Sequence, residues 1–262
     1  IPLSIKKVLW YIFKSPQREL GVVRSINIEV QGWISLLASK YLHPHKKLLA
    51  VSICTGLKNR SDNYISYVLE SANKMENKTL LELCIFDCYS TDIPDLEAKI
   101  KKTWSGKVKF ETMECEFTRS FTFNKAIALA TSPLIFACDA DMLLPYDLVN
   151  QCNKHVTNKT VWFPVCFNLK KNRPASVHPN NGAWLTIGTG MFASYKWQFD
   201  KIGGFDTSFV TWGGEDWDVY RRFWKGGFMP YRSMLIGLFH NYHPSLDPNI
   251  QRMERENKKV KG

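Results

Sequence analysis

A chain of 262 residues with 45% hydrophobic and 23% charged side chains is long enough to bury one large core, and its composition excludes disordered and fibrous classes. The net charge of +11 points to an anionic partner: a nucleotide-linked substrate, an acidic polymer or a membrane surface. No zinc-finger, RNP or basic-heptad pattern accompanies that charge, which argues against nucleic acid, and no apolar run reaches the roughly 20 residues that span a bilayer.

Residues 1–47 alternate short apolar clusters with basic residues and lack a clear period. They are expected to form an N-terminal helical extension that packs on the domain or meets a membrane or partner. Regular organisation begins at Leu48 and continues, without a repeat or a Pro/Ser-rich linker, as one domain over 48–262.

An apolar run over 48–54 predicts a buried strand that ends at Thr55-Gly56. Helical spacing follows over 62–74 (Ile65, Val68, Leu69, Ala72). A second strand over 80–86 is closed by Asp87-Cys88-Tyr89-Ser90-Thr91-Asp92. A helix over 96–104, a strand over 108–113, a helix over 121–130 and a strand over 134–138 come next, the last ending in Asp139-Ala140-Asp141. Strands alternating with helices imply right-handed βαβ units and a mainly parallel sheet, and such sheets bind ligands beyond the carboxyl ends of their strands. Three polar clusters, 55–60, 87–92 and 139–141, fall at those ends.

The second half is less regular. A strand is expected over 161–167, a long loop over 173–189, and a helix over 218–224 that ends at Gly226-Gly227. Seven cysteines without a C-x-x-C pair, three of them (Cys54, Cys84, Cys138) in apolar runs, read as reduced core thiols. That leans toward the cytoplasm or the periphery of a membrane. The N-x-S/T triplets at Asn59, Asn77 and Asn158 lean the other way, toward a lumen such as the Golgi.

Asp139 and Asp141 are two residues apart at a strand end, so an extended backbone points both carboxylates the same way. Paired hard oxygens call for Mg²⁺ or Mn²⁺; a turn, where Asp is common, is the plain alternative. His240 and His243 add imidazoles at a spacing that closes on one metal or flanks a turn, and mixed carboxylate and imidazole ligands favour Mn²⁺ over Mg²⁺. Arg119, before the third helix, and Arg60, in the first strand-end loop, can each clamp a diphosphate or make a surface ion pair. Trp212-Gly213-Gly214-Glu215-Asp216-Trp217-Asp218 crowds three carboxylates between two tryptophans. Flat indole faces suit sugar rings, while acids at a helix N-terminus also offset its dipole.

Together these segments resemble the GT-A glycosyltransferases, in the β-1,4-galactosyltransferase and chondroitin N-acetylgalactosaminyltransferase group. The resemblance rests on Asp139-Ala140-Asp141, Trp212-Gly213-Gly214-Glu215-Asp216 and His240/His243. Phe117-x-Arg119-Ser120-x-x-x-Asn124, Gly190-Met191-Phe192 and Gly203-Gly204-Phe205-Asp206 support it. Gly237-Leu238-Phe239-His240-Asn241-Tyr242-His243-Pro244 is especially like the chondroitin-type ending. It covers about residues 48–250 with the motifs in one order. The implied fold is α/β, a Rossmann-like, mainly parallel sheet flanked by helices, with an irregular acceptor-side half.

By the same resemblance, Asp141, His240 and His243 hold Mn²⁺ (Mg²⁺ as the second choice), with Asp139 near the ribose or the metal. Arg60, Asp87, Phe117, Arg119 and Asn124 bind a UDP-sugar donor, and Trp212 stacks on the sugars. Glu215 positions them, and Asp216 is the general base that activates a hydroxyl of a glycan acceptor, inverting the anomeric centre. Two departures from the galactosyltransferases matter: Trp217 stands where they have a further acid, and His240 where they have a methionine. The retaining polypeptide N-acetylgalactosaminyltransferases share W-G-G-E but carry Asn after it and Asp-x-His as their metal motif, unlike Asp216 and Asp141. A binding module without catalysis is the reading from a different class.

Overall fold

The computed structural model describes Val30, residues 47–210 and residues 213–243. The expected extension over 1–47 therefore lies outside the described residues, apart from Val30 and Lys47, and Trp212 lies outside them too.

Strand β1 (Val51–Leu57) is buried along its whole length. Helix α1 follows as one continuous run of Ser61–Asn63, a wider-wound Tyr64–Leu69 and Glu70–Asn73. Then come β2 (Leu81–Asp87), α2 (Leu96–Thr103), β3 (Lys107–Thr112), α3 (Arg119–Ala128) and β4 (Leu134–Ala137). The second half adds β5 (Met142–Leu143), α4 (Leu148–His155), β6 (Thr160–Leu169), β7 (Gly182–Trp184) and β8 (Phe192–Tyr195). It ends with α5 (Lys196–Lys201), α6 (Glu215–Lys225) and β9 (Met229–His240).

All of these strands join one sheet in the order β3-β2-β1-β4-β8-β6-β9-β5, with β7 on β6. The first four are parallel, as strands separated by helical crossovers require; β2, β1 and β4 are buried throughout, and the edge strand β3 alternates and is mostly exposed. Beyond β4 the sheet turns mixed: β8 runs antiparallel to β4 and β6, while β9 is parallel to β6. Apolar side chains pack on both faces. Val51, Ile53 and Leu57 face a core with Tyr64, Val68 and Trp162, whereas Cys54 and Cys84 face Phe123, Ile127, Phe192 and Phe223 under α3 and α6. Each such aromatic or large aliphatic side chain contributes roughly 1.5–3 kcal/mol on burial. The cysteines in both layers are free thiols, and the buried ones act as small hydrophobes.

Charged residues are buried within the sheet as well, Glu82 the most deeply. Glu82 of β2 is 1% exposed, and its carboxylate accepts hydrogen bonds from Ser52 Oγ, Thr131 N and Thr131 Oγ1 at 2.6–2.8 Å. Burial pushes its pKa up, but these donors outweigh it and hold the carboxyl below its ordinary value.

The structure moves two expected boundaries. β1 runs on through Thr55-Gly56 to Leu57, because Gly56 is the seat of α3: a Cβ there would lie 2.3 Å from Thr122 Oγ1. Gly56 serves close packing there, not a turn. Helix α6 starts at Glu215 rather than 218, which places Glu215 and Asp216 in its first turn. Helices α4 and α5 and strands β5, β7, β8 and β9 are additions to the elements expected from the sequence, and β7 interrupts the loop expected over 173–189. Pro230 and Gly237 interrupt the apolar pattern of β9: Pro230 pairs in register with Val161 of β6, whereas Gly237 falls in the stretch where that pairing shifts.

Candidate active site

Each parallel strand delivers its polar cluster to the same end of the sheet, and side chains lace the loops together. Lys58, just past β1, donates to the carbonyls of Cys88 and Tyr89 beyond β2. Asn59 takes a left-handed backbone (φ 51°), its N–H donates to Ser90 Oγ and its side-chain oxygen accepts from Thr91 N. Asp87, 4% exposed, accepts from Ser90 N and Oγ and from Thr112 Oγ1. Its carboxylate organises this loop at the carboxyl end of β2.

The Asp139-Ala140-Asp141 turn separates its two acids rather than pairing them. Arg119 Nε donates to Asp139 Oδ1 at 3.1 Å and Nη2 to Oδ2 at 3.4 Å. Nη2 also donates to the carbonyl of Gly190. The guanidinium stacks 4.4 Å from the centre of the Phe123 ring, and its Nη1 is buried without a hydrogen-bond acceptor. Burial disfavours its charge, but the carboxylates of Asp139, Glu215 and Asp216 outweigh that and push its pKa further up. Arg119 is thus a largely enclosed strut between the β4 end and the 188–190 loop, its side chain 12% exposed. Phe117, two residues earlier, is 40% exposed. Asn124 closes both ends of its amide on the backbone of Phe205, with two bonds of 2.9 Å, so it braces the 203–206 segment.

Asp141 gathers a different set. Its side chain is 6% exposed, with Arg60 Nη1 2.6 Å from Oδ2. Nε2 of His240 lies 3.6 Å from Oδ1, and Nε2 of His243 lies 3.5 Å from Oδ2. The ligand atoms of Asp141, His240 and His243 all lie within 4.8 Å of one another. The β5–β9 pairing sets Met142 opposite His240, and Asn241 donates to the Asp141 carbonyl through both its N–H and its side chain. Sheet pairing alone brings together residues about a hundred positions apart. Asp141 Oδ1 is buried with no hydrogen-bond donor, and a buried carboxylate with one imidazole facing each of its oxygens fits a cation. Burial pushes Asp141 up, but His240, Arg60 and His243 overcome it and hold the carboxyl below its ordinary value. Burial opposes charge on His240, and the Asp141 carboxylate reverses that and lifts its pKa.

On the other side of the cleft stands the start of α6. Gly213 and Gly214 sit at φ 100° and 103°, a backbone that side chains with a Cβ rarely adopt. That turn lets Gly213 N donate to Glu215 Oε2 at 2.9 Å. Burial raises the pKa of Glu215, with Arg119 opposing. Asp216 accepts at one oxygen from both Thr189 N and Thr189 Oγ1, and at the other from Trp217 N. Asp218 faces away and pairs with Arg222, which also holds Asp206. Of the three acids, two line the cleft and one staples the helix. Thr189 and Asn168 are site residues that the sequence motifs did not mark; for Thr189, which directly precedes the Gly190-Met191-Phe192 segment, the flanking glycines of Gly188-Thr189-Gly190 were the available signal.

A half-parallel sheet with a D-x-D turn at the end of β4 and a carboxylate-bearing helix across the cleft is the GT-A glycosyltransferase fold. Among solved structures, the chain resembles the mannosyltransferase PcManGT from Pyrobaculum calidifontis in complex with GDP-Man and Mn²⁺. The TM-score is 0.60 at 13% identity, over 89% of this chain and 71% of that one. It also resembles S. aureus TarS 1–349 in complex with UDP-GlcNAc (TM-score 0.58, 13% identity, 75% of this chain and 60% of that one).

The chain belongs to the chondroitin N-acetylgalactosaminyltransferase family, whose model matches residues 84–258. It is 34% identical over 127 residues to human chondroitin sulfate N-acetylgalactosaminyltransferase 2, covering 42% of this chain and 23% of that protein. To mouse chondroitin sulfate synthase 3 it is 30% identical over 162 residues, covering 56% of this chain and 18% of that protein. The chain thus spans about a fifth of the length of these relatives.

Proposed function

We propose that this chain transfers a sugar, N-acetylgalactosamine, galactose or a close relative, from a UDP-sugar to a hydroxyl of a glycan acceptor, with inversion and with a divalent metal, Mn²⁺ first and Mg²⁺ second. The observation that carries this reading is the convergence, at one end of the sheet, of the Asp141–His240–His243 cluster with an Asp216 carboxylate oriented by Thr189. Bound by those three residues, the cation supplies positive charge against the diphosphate leaving group.

The remaining work falls to the chain's own side chains. Arg60 and the 87–92 loop receive the nucleotide. Arg119, held by Asp139 and Gly190, fixes the floor of the donor pocket. Asp216 takes the proton of the acceptor hydroxyl as it attacks the anomeric carbon from the side opposite the nucleotide. Glu215, anchored by Gly213, orients the sugars, and Trp212 offers them an aromatic face. Membrane association through residues 1–47 belongs to the same proposal, as does a reducing compartment, with the Golgi lumen as the alternative.

The test is UDP release from a panel of UDP-sugars with a chondroitin-type acceptor, with and without Mn²⁺, and NMR assignment of the new anomeric bond. Release that requires both metal and acceptor, with an inverted linkage, is the expected result. No turnover with any donor would overturn the transfer reading in favour of a glycan-binding module, and a retained configuration would overturn the role of Asp216.

A further inference from the structure

We infer that Asn168 is a positioning residue for the metal site: its side-chain oxygen holds the His240 ring in the tautomer and orientation that leave Nε2 free for a cation. This rests on the Asp141–His240–His243 metal reading given above.

His240 Nδ1 lies 2.7 Å from Asn168 Oδ1, while its other nitrogen, Nε2, faces Asp141 Oδ1 at 3.6 Å. A neutral imidazole carries one proton, so one nitrogen donates and the other keeps its lone pair. An amide oxygen opposite Nδ1 demands the proton there, and Nε2 is left as a lone pair aimed at the cluster. Were the amide reversed, its NH₂ would need the lone pair on Nδ1. Nε2 would then carry the proton and could not ligate a metal. Which end of one amide faces the ring therefore decides whether His240 is a ligand.

The backbone leaves the pair little freedom. Asn168 and His240 are direct cross-strand partners in the β6–β9 ladder, reached only because the pairing shifts between Val165 and Phe167. On its other side Asn168 pairs with Ala183 of β7. The neighbouring Gly182 packs so closely that a Cβ there would lie 2.0 Å from the Asn168 carbonyl. His240 in turn is held to Met142 of β5, next to Asp141. Both side chains thus spring from a four-strand patch, and the amide–imidazole contact is the join between it and the metal cluster. Partners that orient a ligating histidine in this way typically change metal affinity by about 10–100-fold when removed.

The experiment titrates Mn²⁺ alone into the wild-type chain and into Asn168→Leu and Asn168→Asp, following free Mn²⁺ by EPR, with the His240 tautomer of the metal-free wild type read by long-range ¹H–¹⁵N NMR. We expect Asn168→Leu to bind Mn²⁺ about 10–100-fold more weakly, Asn168→Asp to bind at least as tightly as wild type, and the wild-type ring to carry its proton on Nδ1. Mn²⁺ binding by Asn168→Leu equal to wild type, or a neutral wild-type ring with its single proton on Nε2, overturns the role of Asn168 and leaves the metal site standing. Wild type that does not bind Mn²⁺ overturns the metal site itself. If Asn168→Leu does not fold, Asn168→Asp and the wild-type tautomer decide: a tenfold loss in Asn168→Asp counts against the proposal.

Discussion

Arg60 Nη1 stands 2.6 Å from Asp141 Oδ2, so a cationic side chain already occupies the carboxylate proposed to ligate the metal. A divalent ion and Arg60 compete for that oxygen, and a guanidinium displaced from it is free to reach a diphosphate. Arg60→Gln is therefore expected to bind Mn²⁺ alone several-fold tighter, about 1 kcal/mol, the size of a unit-charge contact at 4 Å in water. The same variant should bind UDP in the presence of Mn²⁺ more weakly than wild type. Calorimetry with and without UDP checks both signs; weaker binding of Mn²⁺ alone would mean that Arg60 assists the ion.

Asp216 is held at one oxygen by two donors from a single residue, Thr189. Asp216→Asn keeps a similar shape but cannot accept a proton, so UDP affinity should be retained while transfer falls by about 10²–10⁴-fold. Thr189→Val, which keeps the backbone donor and loses the hydroxyl, should lower kcat with little change in KM for the donor. Full transfer activity in Asp216→Asn would remove it from the role of base.

Gly56 joins the sheet to the helix that carries Arg119. Adding a methyl drives it into Thr122 Oγ1 and Cβ, at 2.3 and 2.6 Å, so Gly56→Ala is expected to cost about 1–3 kcal/mol in urea unfolding. Because α3 must shift to relieve the clash, donor affinity should fall with stability. A stable variant with normal donor binding would show that α3 does not need this close contact.

His155 predicts an acid weakness distant from the chemistry. Burial, aided by the charge of Lys154, pushes its pKa from 6.5 down to about 3. It stacks on Trp162 with ring centres 4.5 Å apart, and its Nδ1 lies 2.5 Å from Tyr231 Oη. The unfolded chain therefore binds a proton that the folded chain refuses. Stability is full above pH 6.5 and falls as pH drops toward 3, by up to about 1.4 kcal/mol per pH unit from this group. His155→Gln should be less stable at pH 7 yet lose less on acidification. Parallel slopes for the two proteins between pH 7 and 4 would rule out this contribution.

Much of the parallel half of the sheet was legible in the chain because it is written in local patterns. Apolar runs of strand length, helical spacing between them and polar clusters after them gave β1 to β4, α1 to α3 and the three strand-end loops. The limits of that reading are instructive. Thr55-Gly56 looks like a loop by composition, yet Gly56 is a packing residue inside β1, and composition cannot tell a turn glycine from one that admits a helix. Arg119 reads as a phosphate clamp by its position before a helix. Its burial against Phe123 and its bonds to Asp139 and Gly190 depend on a loop seventy residues away.

Residue type and order by themselves determined the α/β class, the parallel half of the sheet and the residues with chemistry to offer, since hydrophobic periodicity and short-range motifs are local properties. Only the tertiary structure decided how those residues are shared out. Asp139 goes to Arg119 and Asp141 to the histidines; Asp216 turns to Thr189 and Asp218 to Arg222. It also recruited Asn168, which no motif marks, by a register shift that sets it opposite His240. The physical reason is that a carboxylate, a guanidinium and an imidazole are defined by what lies within a few ångströms, and in this sheet those neighbours come from strands and loops up to a hundred residues apart.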